Sequence, residues 1–348
     1  MMVMVAVDRT MSRVTVFRAA EFHIGWMTPE NQLELVAGCE RSEKRIEELK
    51  TKYDFRFYSD VDEFLEKEKE LDFVVIVTTH ESHEALTVKC LNAGINVIVE
   101  KPMTMEYESA KRMVAAAEKN KKHLFVHQSS RWDREFLLLQ ETINSGKLGK
   151  ILQIESKVTF CDEGWPAWGI EGTQNPWRVK AKFGGGMLYD WGPHLVDEIC
   201  LLMGKDPKGI YGTLQSGVWS KEVDDYFFAI MDYEDVICKI ECSNNTRIPA
   251  PRWHVVGSKG TFYVAGKTEP FWGDVEISYV KDNGEKIIEK IKLVDVKESG
   301  IEGGFYRDLV PFLEGKLDHF VSMYETAKVV KILELIKQSS DKREYIPF

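Results

Sequence analysis

Residue types able to do chemistry fall into four runs of the 348-residue chain. The first, Val99-Glu100-Lys101-Pro102, closes a short apolar stretch. A lysine ammonium there can hydrogen-bond a substrate hydroxyl and stabilise the alkoxide that forms as a carbinol carbon loses hydride. Pro102 suits a turn that aims the lysine, a cis bond being one way to make it. Taken alone, Glu-Lys-Pro is also an ordinary surface turn, because both charged types are mostly exposed. The second run extends from Gly184 to Asp197. Its three glycines, Gly184, Gly185 and Gly186, permit close approach of backbone to a ligand. Asp190 and His194, four apart, share a face if the segment is helical, while Gly192 and Pro193 leave open a turn leading into a helix. Histidine accepts a proton near neutral pH, and a nearby carboxylate orients it and raises its basicity. An aspartate N-cap followed by a helix-facing histidine accounts for the same residues structurally.

The third and fourth runs are Gln128-Ser129-Ser130-Arg131-Trp132 and Asn175-Pro176-Trp177-Arg178. Either arginine can anchor an acidic side chain or stack on its tryptophan. Together they would supply donors to a polyol, and a sugar site combines such donors with an aromatic face. His80-Glu81-Ser82-His83 lacks the spacing of a zinc-binding helix, so no metal is expected.

Elements must bring these runs together. In the first 125 or so residues, short apolar stretches alternate with amphipathic ones. Val3 to Val7, Leu33 to Gly38, Phe73 to Val77, Val97 to Val99 and Leu124 to Val126 are the expected strands. Ser42 to Tyr53, Val61 to Lys67, Ser82 to Ala93 and Glu106 to Asn120 are the expected helices, with Gly94 as a stop signal. This grammar predicts an α/β domain over residues 1–127 with a doubly wound parallel sheet, which binds ligands at the carboxyl ends of its strands. Residues 128–348 differ. Ile151 to Phe160, Gly209 to Trp219, Tyr226 to Asn244, Trp253 to Ala265 and Val275 to Val294 are rich in β-branched and aromatic residues, and Asp282-Asn283-Gly284 marks a hairpin. A large, open, mostly antiparallel sheet is expected there, with helices over Asp190 to Met203 and Ser322 to Gln338, making an α+β domain. The active cleft is expected between the halves.

Composition sets limits on function. With 46 basic and 56 acidic residues the net charge is −10, which argues against nucleic acid or an anionic membrane as a partner. No run of 18 apolar residues occurs, and no signal peptide is expected from the residues before Val7. The six cysteines form no C-x-x-C pair and are too sparse for a disulfide scaffold. The expectation is a cytoplasmic protein that is not exported.

In this order, the Glu-Lys-Pro turn near residue 100, the arginine-aromatic-aspartate run near 131, Trp-Arg, Gly-Gly-Gly and Asp-x-Gly-x-His resemble the Gfo/Idh/MocA family of sugar and inositol dehydrogenases. Val75 to His83, Gly94 to Pro102, Trp253 to Phe262 and the terminal helix extend the resemblance over nearly the whole chain. It implies a Rossmann-like first domain and oxidation of a secondary alcohol by a nicotinamide cofactor. Lys101, Asp190 and His194 match the catalytic trio, and Arg131, Trp177, Arg178 and Asp197 fall on the substrate side. Thr10, Met11, Ser12, Glu40, Arg41, Thr78, Thr79, His83, Glu100 and Lys101 fall on the cofactor side. Glu40 matches the acidic residue that binds ribose hydroxyls and disfavours a 2′-phosphate, so NAD is preferred over NADP. Association into a homodimer or homotetramer through the C-terminal sheet is also implied.

One departure from the family pattern stands out. After Val7 comes Asp8-Arg9-Thr10-Met11-Ser12-Arg13, with side chains where the family has Gly-x-Gly-x-x-Gly. A carboxylate at Asp8 repels a diphosphate, partly offset by Arg9 and Arg13. The connection onward through Glu21 to Trp26 is longer than usual. The departure keeps two other readings in view: a sugar-binding or regulatory homologue without cofactor, and a glycoside-cleaving enzyme that retains NAD tightly.

Overall fold

A computed structural model of the chain describes residues 19–27, 31–162, 165, 177–266, 272–295 and 303–348. The chain divides into two units, one holding the described residues up to Gln128 with 303–330, the other those from Ser129 to Asp295 with 331–348.

In the first unit, α1 (Ala19–Trp26) precedes β1 (Ala37–Cys39), α2 (Glu43–Lys50), β2 (Arg56–Tyr58), α3 (Val61–Lys67) and β3 (Phe73–Ile76). Then come α4 (His83–Asn92), β4 (Asn96–Val99), α5 (Tyr107–Asn120) and β5 (Leu124–Val126). Every described strand pairing here is parallel: β1 with β2, and β4 between β3 and β5. The β3 and β5 residues are all buried, as expected for strands covered on both faces. Val74, Ile76, Val97, Val99, Leu124 and Val126 form a core with Leu86, Cys90 and Leu91 of α4 and Ala110, Met113 and Ala117 of α5. The helix contributions recur at three- and four-residue spacing, which is what makes one helical face apolar. Ser42 caps α2 by accepting the Arg45 N–H, and Asp60 caps α3 by accepting those of Asp62 and Glu63. Gly94, at φ +82°, ends α4 as its position predicts.

Several sequence expectations shift. The expected strand Val3 to Val7 and the turn Asp8 to Arg13, with Thr10, Met11 and Ser12, lie outside the described residues. The stretch read as a long connection holds α1. Leu33 to Gly38 gives a strand only from Ala37, although Leu33 and Val36 are buried. The strand β2, three residues with an exposed end, is too short for its period to show.

The second unit is built on nine strands in the order β13-β12-β11-β10-β6-β9-β8-β7-β14. They are β6 (Ile151–Thr159), β7 (Gly209–Gln215), β8 (Tyr226–Asp232), β9 (Ile237–Ser243), β10 (Trp253–Gly257), β11 (Gly260–Gly266), β12 (Trp272–Val280), β13 (Lys286–Ile291) and β14 (Ile346–Pro347). Among the described pairings of this sheet only β6–β9 is parallel. Two expected strands are hairpins: Tyr226 to Asn244 turns at Glu234, a non-glycine at φ +71°, and Trp253 to Ala265 turns at Ser258 and Lys259. The expected hairpin at Asp282-Asn283-Gly284 joins β12 to β13, with Gly284 at φ +84°. Alternate residues point inward, among them Phe227, Ala229, Cys238, Ile240, Val255 and Phe262. Also in this unit are α6 (Arg134–Asn144), α7 (Met187–Asp190) and α8 (Gly192–Met203), with Phe136, Leu139, Leu195, Val196 and Ile199 buried. The helix α9 (Gly304–Leu313) and the first turns of α10 (Met323–Lys342) belong to the first unit, where Ala327 and Val330 join its core.

Candidate active site

The carboxyl ends of β3, β4 and β5 hold the first group of candidates. Glu100 N–H donates to Ile76 O and His127 N–H to Val99 O, both at 2.9 Å, so these two residues extend the sheet edge. The Lys101–Pro102 peptide is cis. Both carboxylate oxygens of Glu100 are engaged within the unit. Oε1 accepts from His23 Nε2 and His127 Nδ1, each at 2.7 Å, and Oε2 accepts the main-chain N–H of Lys101 at 3.0 Å. Burial alone would raise this carboxyl, but His127 and His23 outweigh it and hold the group well below the usual carboxylate range. Burial lowers the His23 imidazole, helped by His127 and opposed by Glu100. A neutral His23 then donates from Nε2 and accepts the Tyr306 hydroxyl at Nδ1, 2.5 Å away. Glu100, placed on the cofactor side by the family pattern, thus has both carboxylate oxygens bound by groups of its own unit.

His83 is fully buried, with Nδ1 at 2.8 Å from Pro102 O and Nε2 at 3.2 Å from Thr78 O. Burial lowers its imidazole, and the shorter contact takes the single N–H. Its ring thus lies between the Pro102 and Thr78 carbonyls. Thr78 Oγ1 accepts from Ser82, and Thr79 Oγ1 donates to Glu81 at 2.8 Å. Glu40 follows β1 and is 1% exposed. Its Oε1 accepts the Ser42 N–H at 2.9 Å, whereas Oε2 is buried without a hydrogen-bond partner among the described residues, 4.0 Å from Arg45. Arg41 is exposed.

In the second unit, Arg131 and Asp197 meet as a buried bidentate pair. Nε and Nη2 donate to the two carboxylate oxygens at 2.7 Å each. Two expected substrate contacts therefore bind one another, and the pair ties the 129–132 turn to α8. Asp190 Oδ2 accepts from Trp165 Nε1 at 2.8 Å and Arg178 Nε at 3.2 Å, and the Arg178 guanidinium lies 4.6 Å over the Trp177 ring. His194, half-buried, has Nδ1 3.2 Å from Ser130 Oγ. Asp190 closes α7 and His194 lies in the first turn of α8, with Pro193 at a position where its missing N–H costs nothing.

Two of the three glycines, Gly185 and Gly186, are packed against the chain's own groups. A Cβ on Gly185 would stand 2.2 Å from Arg178 O, and one on Gly186, at φ +107°, 2.3 Å from Asp224 Oδ1. The chain's own groups require the close approach. Asp224 in turn accepts the Leu188 N–H at 2.8 Å and so starts α7. Sequence reasoning missed His23, His127, Tyr306, Trp165 and Asp224, whose partners lie far away in the chain. Ser130 sat inside a run already singled out.

The model described as "Oxidoreductase family, NAD-binding Rossmann fold" matches residues 16–128, and the Gfo/Idh/MocA C-terminal domain model matches residues 136–263. This chain belongs to the Gfo/Idh/MocA oxidoreductase family. Its first unit is accordingly a Rossmann-like NAD-binding domain, and the match begins downstream of the Asp8 to Arg13 turn. Among relatives of this family member, an uncharacterised oxidoreductase of Schizosaccharomyces pombe is 33% identical over 51% of the chain, and that match spans 46% of the yeast protein. The scyllo-inositol 2-dehydrogenase (NADP(+)) IolW of Bacillus subtilis is 26% identical over 79% of this chain and 78% of its own. A crystal structure of an NAD-binding protein from Listeria innocua superposes with a TM-score of 0.76 at 26% identity, covering 91% of this chain and 90% of that one. Among the described residues no helix is long and apolar enough to cross a membrane, and all six cysteines are free thiols.

Proposed function

We propose that this family member is a dehydrogenase that transfers hydride from a secondary alcohol of a sugar, inositol or related polyol to NAD. The observation that carries the reading is Glu40: a buried carboxylate oxygen without a hydrogen-bond partner among the described residues, at the carboxyl end of a parallel strand in a NAD-binding domain. A ribose hydroxyl satisfies such an acceptor, while a 2′-phosphate brings like charge against it. That supports NAD over NADP here, although the Bacillus relative carries NADP(+) in its name. Thr78, Thr79 and Arg41 would line the same side, with Thr10, Met11 and Ser12 completing it as the family pattern implies. Bound nicotinamide supplies the hydride acceptor.

The protein's own groups would do the rest. His194 takes the hydroxyl proton, with Ser130 Oγ beside its Nδ1. Lys101 donates to the oxygen as negative charge develops on it. Asp190, gripped by Trp165 and Arg178, is a fixed negative group at the α7–α8 junction, and Arg178 with the Trp177 face would meet other substrate hydroxyls. Arg131 and Asp197 would act as a pair, since each already occupies the other.

The test is a panel of sugars and inositols assayed for NADH formation, with calorimetry for NAD binding. NADH should form with at least one polyol, and Lys101→Ala should lose roughly 10²-fold in kcat/KM while remaining folded. No NAD binding would replace this reading with a cofactor-free sugar-binding protein. NAD retained through purification without net NADH would replace it with the glycoside-cleaving enzyme.

A further inference from the structure

His23, Glu100 and His127 are the one group among the described residues able to offer three metal ligands, with ligand atoms within 4.8 Å of one another. Their spacing fits protons better than a metal. Both nitrogen–oxygen distances are 2.7 Å, the length of a charge-assisted hydrogen bond. Two donors each about 2.0 Å from a tetrahedral zinc would stand roughly 3.3 Å apart. The outer partners agree, because the Tyr306 hydroxyl at His23 Nδ1 leaves Nε2 to carry the proton toward Glu100.

We infer that His23 and His127 are positioning residues for Lys101: two imidazole N–H groups converge on one oxygen of Glu100, and the other oxygen fixes the main-chain N–H of Lys101. The inference rests on the role proposed above for the lysine. A lysine side chain has many rotamers, so its ammonium is aimed only if its main chain is immobile. A lone carboxylate would rotate about its own side-chain bonds. Here the two donors lock it, Tyr306 locks His23, and aromatic rings pack round the cluster, with His127 4.5 Å from His23 and 4.9 Å from Phe305 between ring centroids. On the other flank of the lysine, His83 donates to the Pro102 carbonyl. The turn is thus held on both sides by buried imidazoles.

Side-chain geometry provides the test. Asparagine reproduces a donor at the Nδ1 position of histidine, and Nδ1 is what His127 uses; its Nε2 has no hydrogen-bond partner to lose among the described residues. With the polyol found in the panel, His127→Leu should lower kcat at least about tenfold with KM for NAD within about twofold, and His127→Asn should recover to within about threefold. Tyr306→Phe, which keeps the ring, should give a smaller loss of the same kind. Amide hydrogen exchange at Lys101, read by mass spectrometry, needs no substrate. It should quicken at least about tenfold in His127→Leu and not in His127→Asn, with Val97 to Val99 unchanged. Equal behaviour of the Leu and Asn variants overturns the inference. So does one zinc per chain in the purified protein that is lost in both variants, since the cluster would then be a metal centre. Failure to oxidise any polyol removes the dehydrogenase reading alone, because the exchange measurement still decides whether the clamp exists.

Discussion

Arg252 carries a single positive charge among three buried carboxyls. Its Nη2 donates to both oxygens of Glu198 at 2.6 Å, and its Nε lies 3.7 Å from Glu135 Oε1. One cation cannot balance Asp133, Glu135 and Glu198 together. Burial raises all three, with Glu198 pushed up to about 7 against the pull of Arg252. The folded values stand above the unfolded ones, so the stability they contribute is complete below the ordinary carboxylate range and is lost as pH rises, for Glu198 through about 7. Urea unfolding should therefore give a lower free energy at about pH 8 than at about pH 5. Glu135→Gln, which cannot ionise, should reduce the difference while leaving the acidic value nearly unchanged. An undiminished difference in that variant would refute the assignment. Nothing in the sequence pointed to this cluster, because its members are scattered from position 133 to 252.

At the scale of elements, the segment from Gly184 to Met203 shows what local pattern can and cannot convey. Helicity near Asp190 was legible, and so was the interruption at Gly192 and Pro193, which proves to be the junction of α7 and α8. The purpose of the glycines was not legible, because the Arg178 carbonyl and the Asp224 carboxylate that press on them come from other parts of the chain. Gly186→Ala should therefore cost both a φ of +107° and a clash with Asp224, about 2–4 kcal/mol in all. Gly146→Ala is the control: its φ is +76° but nothing lies within 4 Å, so about 1 kcal/mol is expected. Similar urea midpoints for the two variants would show that packing at Gly186 contributes nothing. Elsewhere, strands whose apolar run ends in a turn signal were placed within a few residues. The helix α6, which buries Glu135, Phe136, Leu139 and Thr142, was not among the expected helices.

At the scale of the whole molecule, the outer face of the nine-stranded sheet invites association. Ile230 lies between Tyr211 and Lys239 in register, and Glu155 joins Lys239 to His254 and so to Tyr263. Tyr211 and Tyr263 are 39% and 38% exposed, flanking ion-paired Glu155, Lys157, Lys239 and Glu241. Aromatic residues are enriched at protein interfaces, and here the charges around them are already paired with one another. We propose a dimer or tetramer through this face: light scattering should give a multiple of the chain mass, and Ile230→Lys should return it to one. A monomer before mutation sinks the idea. The sequence by itself determined the two kinds of domain, most strands and helices, the order of the Lys101, Asp190 and His194 motifs, and the hairpin at Gly284. These depend on short-range periodicity, capping and turn chemistry, which are written in consecutive residues. Only the tertiary structure decided that Arg131 belongs to Asp197, that Asp190 is held by Trp165 and Arg178, and that Glu100 is clamped by His23 and His127. Those partners are 12 to 77 residues apart, and burial strips water from them, so each polar group must find its complement wherever the fold brings one.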